Sequence, residues 1–508
     1  MEPQGGPRSL IITYGAYFIP PAVVLYYVAL VIYRVFFHPL AKFPGPKKAA
    51  ATGWYRSYYD VWMQGEMPRQ IAVLHKKYGR IVRFGPNHLH FSEPSAYHEI
   101  YANNSKLLKD SWVYNSFNAS QSGFAMADPS AAKGRRDVLS SLFSHRAISS
   151  MQGLLAENFD LLCTRLAEHN TTSSAPINLS GAIRSTTVDI ITTFCFAQSM
   201  HALDVPGFKA PILLGMRTSL RMIQVFKHFP LIQRIVLNFP RPLLMFGEVA
   251  GFIDLSRRLE SQVANFLKNP ADLDKTPHPI IYNRLLDPDA KGSRAAPITQ
   301  TALEHEAHTM LFAGADTVAL TMTVGLYQLL KSGRQGELVE ELIKAWPELD
   351  RAPKLEELEK LPFLSAVIKE SLRMGSGVVS LLDRKVPKSG AVIDGEQIPG
   401  GAVVAMGTTI VHTNEDIFPN SGSFIPERWT GPNGKELERY LVPFSKGARQ
   451  CLGINLGYAE LYIGFARLFR RFEITLDGTT EEDMRWKDYF VPLFEEGHMK
   501  GFVKPREA

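Results

Sequence analysis

The first apolar block of the chain is continuous: from Ser9 to Tyr33 no side chain is charged, and Arg34, Lys42, Lys47 and Lys48 follow. Wound as a helix, such a run spans the about 30 Å of a bilayer's hydrocarbon. No small-residue cleavage site follows it, so a membrane anchor is expected rather than a removed leader. The basic residues behind it put the bulk of the chain on the cytoplasmic side. Pro20-Pro21 is predicted to kink or break the helix. From His38 to Pro46 the Pro/Gly-rich run His-Pro-Leu-Ala-Lys-Phe-Pro-Gly-Pro reads as a hinge.

Beyond the hinge the pattern becomes periodic. Ile81-Val82-Arg83-Phe84 and His88-Leu89-His90-Phe91 predict two short strands around Gly85-Pro86-Asn87. Helical spacing dominates from about Ser130 to Leu267. Within it, Phe208 to Phe252 is unusually apolar, and two readings stay open: buried core, or a surface that dips into a membrane at the mouth of a substrate channel. Residues 268–298 read as a surface loop holding at most a short helix. A long helix is predicted from Gln300 to Lys331 and another ahead of Met374. A turn-rich, β-containing stretch covers 375–443, a strand-like run leads into a glycine-framed loop at 444–453, and a long apolar helix follows. There is no internal repeat. The expectation is a mainly α chain with a smaller β region: an anchor (1–36), a hinge (37–48) and one large catalytic domain (49–508).

Composition narrows the function. With 45% hydrophobic and 21% charged residues, the chain can bury a large core. The net charge of +6 comes without a Lys/Arg tract interleaved with aromatics, so nucleic acid is not an expected partner. Cys163, Cys195 and Cys451 are too few for a disulfide framework and lack zinc spacing. Cys163 and Cys195 lie in apolar helical runs and read as inert core. Glu304-His305-Glu306-Ala307-His308 lacks the His-Glu-x-x-His spacing of zinc proteases and reads as a polar helix face. Neither a Gly-x-Ser-x-Gly elbow nor a Gly-x-Gly-x-x-Gly dinucleotide loop occurs.

Cys451 is different, because Phe444-Ser-Lys-Gly447-Ala-Arg449-Gln-Cys451-Leu-Gly453 holds it at the entrance of a helix. Unpaired amides and the helix dipole favour a thiolate there. Gly447 and Gly453 remove bulk on either side, and Arg449 suits a ligand carboxylate. This Phe-x-x-Gly-x-Arg-x-Cys-x-Gly pattern resembles the haem-binding loop of the cytochrome P-450 monooxygenases, whose iron is bound through a cysteine thiolate.

Further segments resemble the same family, in its order and over essentially the whole chain. Glu370 and Arg373 share one helical face and resemble its Glu-x-x-Arg pair. Pro426-Glu427-Arg428 resembles the segment whose arginine, here Arg428, completes a buried Glu-Arg-Arg cluster that locks the cysteine loop. Ala313-Gly314-Ala315-Asp316-Thr317 resembles the oxygen-activation motif, with Thr317 and Asp316 as site residues. Gly314 then has two explanations, close approach of a flat ligand or ordinary helix packing.

The resemblance implies the cytochrome P-450 fold and haem b, with Cys451 as axial ligand and Phe444, Gly447 and Gly453 shaping its loop. Arg449, Arg384 and Arg136 would face the haem carboxylates. Four residues before Arg136 the family usually has Trp or His, and Ala132 departs from that; Lys133 or Arg135 are the candidate substitutes. Only 57 residues follow Cys451, too few for a fused flavin domain. Electrons are therefore expected from a separate NADPH-cytochrome reductase, with cytochrome b5 as a second donor. Lys446, Lys133, Arg135, Arg467, Arg470 and Arg471 are candidates for the docking face.

The implied reaction is oxidation of a lipophilic small molecule at the endoplasmic reticulum membrane, with a single-pass anchor and a cytosolic catalytic domain. The hinge looks fungal and suggests terpenoid, polyketide or alkaloid biosynthesis. An isomerase- or peroxygenase-type haem enzyme and a non-catalytic membrane haem protein are the alternatives. Substrate contacts are expected around 110–125, Phe312, Val378–Leu382 and Leu493–Phe494.

Overall fold

The computed structural model describes residues 7–238, 250–293, 298–494, 497 and 499–506. Helix α1 (Pro7–Ile32) runs unbroken through Pro20 and Pro21, contrary to the predicted break. Over Tyr17–Phe37 no residue is buried, whereas 67% of the comparably apolar Gln300–Lys331 window is covered by protein. The first is long and apolar enough to cross a membrane and is uncovered over this window; the second is a core helix.

The helices around the core are α2 (Pro129–Ser140), α3 (Gln152–Thr172), α4 (Leu179–Phe196), α5 (Pro211–His228), α6 (Pro230–Asn238), α7 (Ala250–Lys268), α8 (Gln300–Lys331), α9 (Pro362–Gly375) and α10 (Ile454–Arg471). Local chemistry sets several starts. The Asp128 carboxylate accepts from Ala131 N at 2.7 Å, Asn178 from Gly181 N at 3.0 Å and Thr299 from Ala302 N at 3.0 Å. Each satisfies an amide the first helical turn leaves open. From Val318 to Leu329, α8 is buried at nearly every position, so it is apolar all round and runs through the middle of the molecule. It lies between α4 and α9, with α10 and α3 completing the layer.

The β region is smaller. Strands β1 (Ile81–Gly85), β2 (His88–Phe91), β3 (Leu108–Lys109), β5 (Arg384–Lys385) and β8 (Val403–Ala405) form one sheet in the order β1-β2-β8-β5-β3. Strand β4 (Ile177–Asn178) joins β12 (Lys500–Pro505) and β9 (Phe472–Leu476), and β6 (Ala391–Ile393) and β7 (Glu396–Ile398) form a hairpin. A second hairpin, β10 (Lys487–Tyr489) with β11 (Val491–Leu493), closes over the site.

Three expectations change. The run before Cys451 is not a strand: Glu438–Tyr440 is a 3₁₀ turn and irregular chain follows, because Val442 gives its amide to a histidine side chain instead of a ladder. The 268–298 segment holds the short helix allowed for it, Ile281–Leu285, but that helix is not at the surface, since Ile281, Tyr282 and Leu285 are buried; 294–297 lie outside the described residues. The apolar 208–252 segment divides between its two readings. Helix α5 buries Ile212, Leu213, Met216 and Leu220, while α6 buries nothing and exposes Leu231, Ile232 and Ile235; 239–249 lie outside the described residues.

Candidate active site

A cavity of about 780 Å³ lies beside the middle of α8 and reaches the cysteine loop. Leu220, Ile223 and Phe226 of α5, Ile191 of α4, Phe312 of α8 and Phe117 give it a mostly apolar wall. Val378 and Leu382 line it as expected, but Leu493 and Phe494 do not. They stand behind the wall in an apolar cluster that shares Leu220, Ile223, Phe312 and Val491 with it, and the β10–β11 hairpin presents Phe490 and Val491 to the cavity.

The cysteine loop is built by its backbone. Cys451 N donates to Phe444 O at 2.8 Å and Gln450 N to Gly447 O at 3.0 Å. Gly447 has φ +74°, and a Cβ there would sit 2.2 Å from the Tyr101 carbonyl oxygen, so glycine is required. Gly453 also lines the cavity, and a Cβ there would meet no protein atom within 4 Å. The Phe444 ring packs on Tyr458 with centroids 5.3 Å apart, under the start of α10. Cys451 is the one cysteine that opens on the cavity; Cys163 and Cys195 are buried. The depth of the site raises the Cys451 thiol pKa, while the Gly453 amide and Arg136 oppose that rise.

Arg136, Arg384 and Arg449 all reach the cavity. Arg136 donates to Gln450 O at 2.6 Å, Arg384 to the Tyr114 hydroxyl at 3.0 Å, and Arg449 to Met126 O at 2.6 Å. Burial, reinforced by Arg384, lowers the Arg449 pKa to about 10. Ala132 of α2 lines the cavity, as does Arg135, one of the two expected substitutes. Arg135 is buried against Glu306 at 3.1 Å, and Lys133 points outward to Asp137 at 2.5 Å.

On α8, the Thr317 hydroxyl faces the cavity and donates to Ala313 O at 2.8 Å. Asp316 is buried; its Oδ1 accepts from Arg184 Nε at 2.5 Å and its Oδ2 has no partner. Gly314 answers the packing question: a Cβ would stand 2.4 Å from Ile191 Cδ1, so the missing side chain admits α4.

The cluster behind the loop forms around Glu370. Its carboxylate accepts from Arg373 Nη2 and Nε at 2.8 and 2.9 Å, from Ile425 N at 3.0 Å, and from Arg428 Nε at 3.4 Å. Trp429 Nε1, which the sequence did not single out, adds a bond at 3.0 Å. Arg373 also donates to His412 O at 2.9 Å, and Val442 N donates to His412 Nε2 at 2.9 Å. The cluster is thus tied to the chain two residues before Phe444.

Two further groups were not foreseen. Lys109 lines the cavity and donates to Phe124 O at 2.5 Å. Glu460 of α10 lines it with both carboxylate oxygens buried and unpartnered, and burial pushes its pKa well above the usual range. Neither sits in a local motif; only the tertiary fold brings them to the cavity. The Glu304–His308 segment is not a solvated face, because Glu306 is buried on Arg135 and His308 lies 3.2 Å from Ser256 Oγ. No cluster of three His, Cys, Asp or Glu could hold a metal among the described residues. Of the basic docking candidates, Arg135, Arg467 and Arg470 are buried, which leaves Lys133, Lys446 and Arg471.

A sequence model of cytochrome P450 matches residues 50–492. The chain is 35% identical to cytochrome P450 monooxygenase MO6277 of Ascocoryne sarcoides over 92% of this chain and 94% of that protein. It is also 35% identical to cytochrome P450 monooxygenase macH of Penicillium terrestre, over 95% and 96%. The crystal structure of a cytochrome P450DA heme domain superposes with a TM-score of 0.72 at 16% identity, covering 92% of this chain and 98% of that one.

Proposed function

Because the chain belongs to the cytochrome P450 family, we propose that it is a monooxygenase that inserts one atom of dioxygen into a lipophilic small molecule, using haem b held through Cys451. The observation that carries this reading is the Cys451 thiol opening on a large apolar cavity rimmed by cations. Those residues fit the cofactor. Cys451 offers a sulfur donor, and Gly453 leaves space where a side chain would project. Arg136, Arg384 and Arg449 supply charge for two carboxylates, with no carboxylate of the chain paired to them among the described residues. When bound, haem supplies the binding and reductive activation of dioxygen, with thiolate ligation favouring O–O cleavage.

The chain's own residues then have separable tasks. Arg136 holds the carbonyls of Gln450 and Cys451 and so fixes the loop at the sulfur. Thr317 Oγ1 can turn its proton from Ala313 O toward an oxygen in the cavity. Asp316, the preceding residue on α8, has its carboxylate on Arg184 rather than in the cavity lining and is the candidate for a proton relay to Thr317 from outside the cavity. Phe312, Ile223 and Phe490 exclude water and hold an apolar substrate by its surface. Glu370, Arg373 and Arg428 position the loop through His412 and touch no reactant.

Electrons come from a separate NADPH-dependent reductase, with cytochrome b5 as a second donor, docking over Lys133, Lys446 and Arg471. Residues 1–36 anchor the chain in the endoplasmic reticulum membrane, 37–48 form the hinge, and the catalytic domain faces the cytosol. The fungal relatives support a substrate from terpenoid, polyketide or alkaloid biosynthesis. A carbon monoxide difference spectrum of the reduced protein tests the centre of this reading: the red-shifted Soret band of thiolate ligation is expected in the natural chain and not in Cys451→Ala. Supplying candidate intermediates to cells with and without the reductase then identifies the substrate.

A further inference from the structure

The β10–β11 hairpin turns on a single residue: Tyr489 pairs with Val491, and Phe490 makes the whole bend at φ +79°. The other non-glycine residues with positive φ among the described residues lie between 51° and 56°, inside the ordinary left-handed region. Phe490 lies outside it, in a one-residue bend that is rare and strained for any side chain and relaxed only for glycine. A bulky ring is thus kept at the one position of the hairpin that penalises it.

Backbone and ring are both held there. Phe490 N donates to Asp488 Oδ1 at 2.9 Å, and Phe490 O accepts from Val379 N at 3.0 Å. The ring meets those of Phe117 and Phe124 edge-on, with centroids 4.8 and 5.7 Å apart. The same Asp488 oxygen accepts from Ser380 Oγ. Asp488 is 2% exposed and forms no ion pair among the described residues, the nearby Lys227 ammonium being held by Asp60 at 2.7 Å. A buried carboxylate without a cation of its own is costly. The hairpin does not need it for anchorage, because the Asp488 backbone is tied separately: its N–H donates to Gly65 O at 3.1 Å and its carbonyl accepts from Gln224 Nε2 at 2.9 Å. What the carboxylate adds is the turn. Strain that the surroundings maintain at a cavity wall points to a function.

We propose that Asp488 is a positioning residue for substrate selection: its carboxylate holds the strained turn, and the turn fixes the Phe490 ring against Phe117 at the cavity wall, limiting the bulk of the substrate admitted. Phe490 and Phe117 line the cavity, whereas Asp488 does not and touches no reactant. Without the carboxylate the turn relaxes, the ring leaves its fixed place, and bulkier molecules fit. The inference rests on the monooxygenase reading above and narrows its substrate to one compact enough to lie beside an immobile ring.

Two measurements on the purified, haem-loaded full chain test it. The thermal midpoints of Phe490→Gly and Phe490→Ala are compared first, since both lose the ring and only glycine escapes the strain. Phe490→Gly is expected to melt higher, and a lower midpoint than that of Phe490→Ala would overturn the strained turn. Imidazole and 4-(biphenyl-4-yl)imidazole are then titrated into the natural chain, Asp488→Ala and Asp488→Asn, with binding read from the Soret shift. Asp488→Ala is expected to move the affinity ratio about tenfold toward the larger probe. Asp488→Asn keeps an acceptor for Phe490 N and is expected to stay near the natural ratio. Because the ratio is taken within each protein, a partly misfolded fraction cancels. Equal ratios in Asp488→Ala and the natural chain would overturn the assignment, as would an equal shift in Asp488→Asn. A natural chain with no Soret response to imidazole would instead overturn the haem reading, and the glycine–alanine comparison would still decide the strain.

Discussion

Three side chains meet the cavity with unmatched chemistry: a thiol at Cys451, a hydroxyl at Thr317 and a buried carboxyl at Glu460. The first two were legible because each stands in a contiguous motif whose spacing survives without the fold. Glu460 and Lys109 were not, since an isolated Glu or Lys in a sequence reads as solvated surface until helix α10 or strand β3 turns it inward. Thr317→Ala is expected to keep haem binding and electron uptake but lower the product formed per NADPH consumed, releasing peroxide instead. Simultaneous assay of NADPH, product and peroxide measures it, and an unchanged ratio removes Thr317 from the chemistry. Glu460 makes a different prediction. Its folded pKa lies above its unfolded one, so at neutral pH folding must retain a proton the unfolded chain gives up, which costs stability. Glu460→Gln should therefore raise the thermal midpoint near pH 7 and lose that gain by pH 4, where the unfolded carboxyl is protonated too.

Among the elements, α8 was read from sequence with its boundaries, because a long apolar run with a threonine cap leaves few alternatives. The approach to Cys451 was misread as a strand because its apolar residues follow a β-like pattern while their hydrogen bonds go to a side chain. The Glu370 cluster makes that approach dependent on α9. Arg373→Ala strands a buried carboxylate and frees the carbonyls of His412, Ser421 and Ser423, a loss of about 3–5 kcal/mol. The purified variant is expected to contain no haem, and normal haem content by pyridine haemochrome would refute the positioning role.

Helix α5 is pinned comparably at its C-terminal end. Asp60 lies 2.7 Å from Lys227 Nζ and 2.8 Å from His228 Nε2, and Gln224 donates to Asp488 O at 2.9 Å. Asp60→Ala leaves Lys227 buried without its carboxylate. Faster amide exchange through α5, which carries Ile223 and Phe226 of the cavity wall, is the expected result.

For the whole molecule, buried histidines contribute one part of the response to acid, with His90 held well below its ordinary range by burial. Burial lowers the pKa of His88 and His228 to about 4 and that of His412 to about 3. Between those values and the ordinary pKa of about 6.5, the unfolded chain takes up protons that the folded chain refuses, so stability falls on acidification through this window. Asp488, its pKa raised by burial to about 6, and Glu460, raised well above its usual range, act in the opposite sense. His412→Gln is expected to raise the thermal midpoint at pH 5 relative to that at pH 7.5, compared with the natural chain, and an unchanged difference would refute the role of His412. Exposed apolar surface is continuous on one side of the molecule. Helix α1 leads to exposed Trp54 and Trp62, whose rings approach that of Phe229 beside the uncovered α6.

Lys109 of β3 and Arg384 of β5 face each other across their two-residue ladder, which also bears on the protein before it is complete. A two-residue ladder with like charges facing each other is a weak closure, and in a chain that has not yet acquired its cofactor it is the segment best placed to fray. Residues 105–126 would then be offered to proteases first, and haem would seal them.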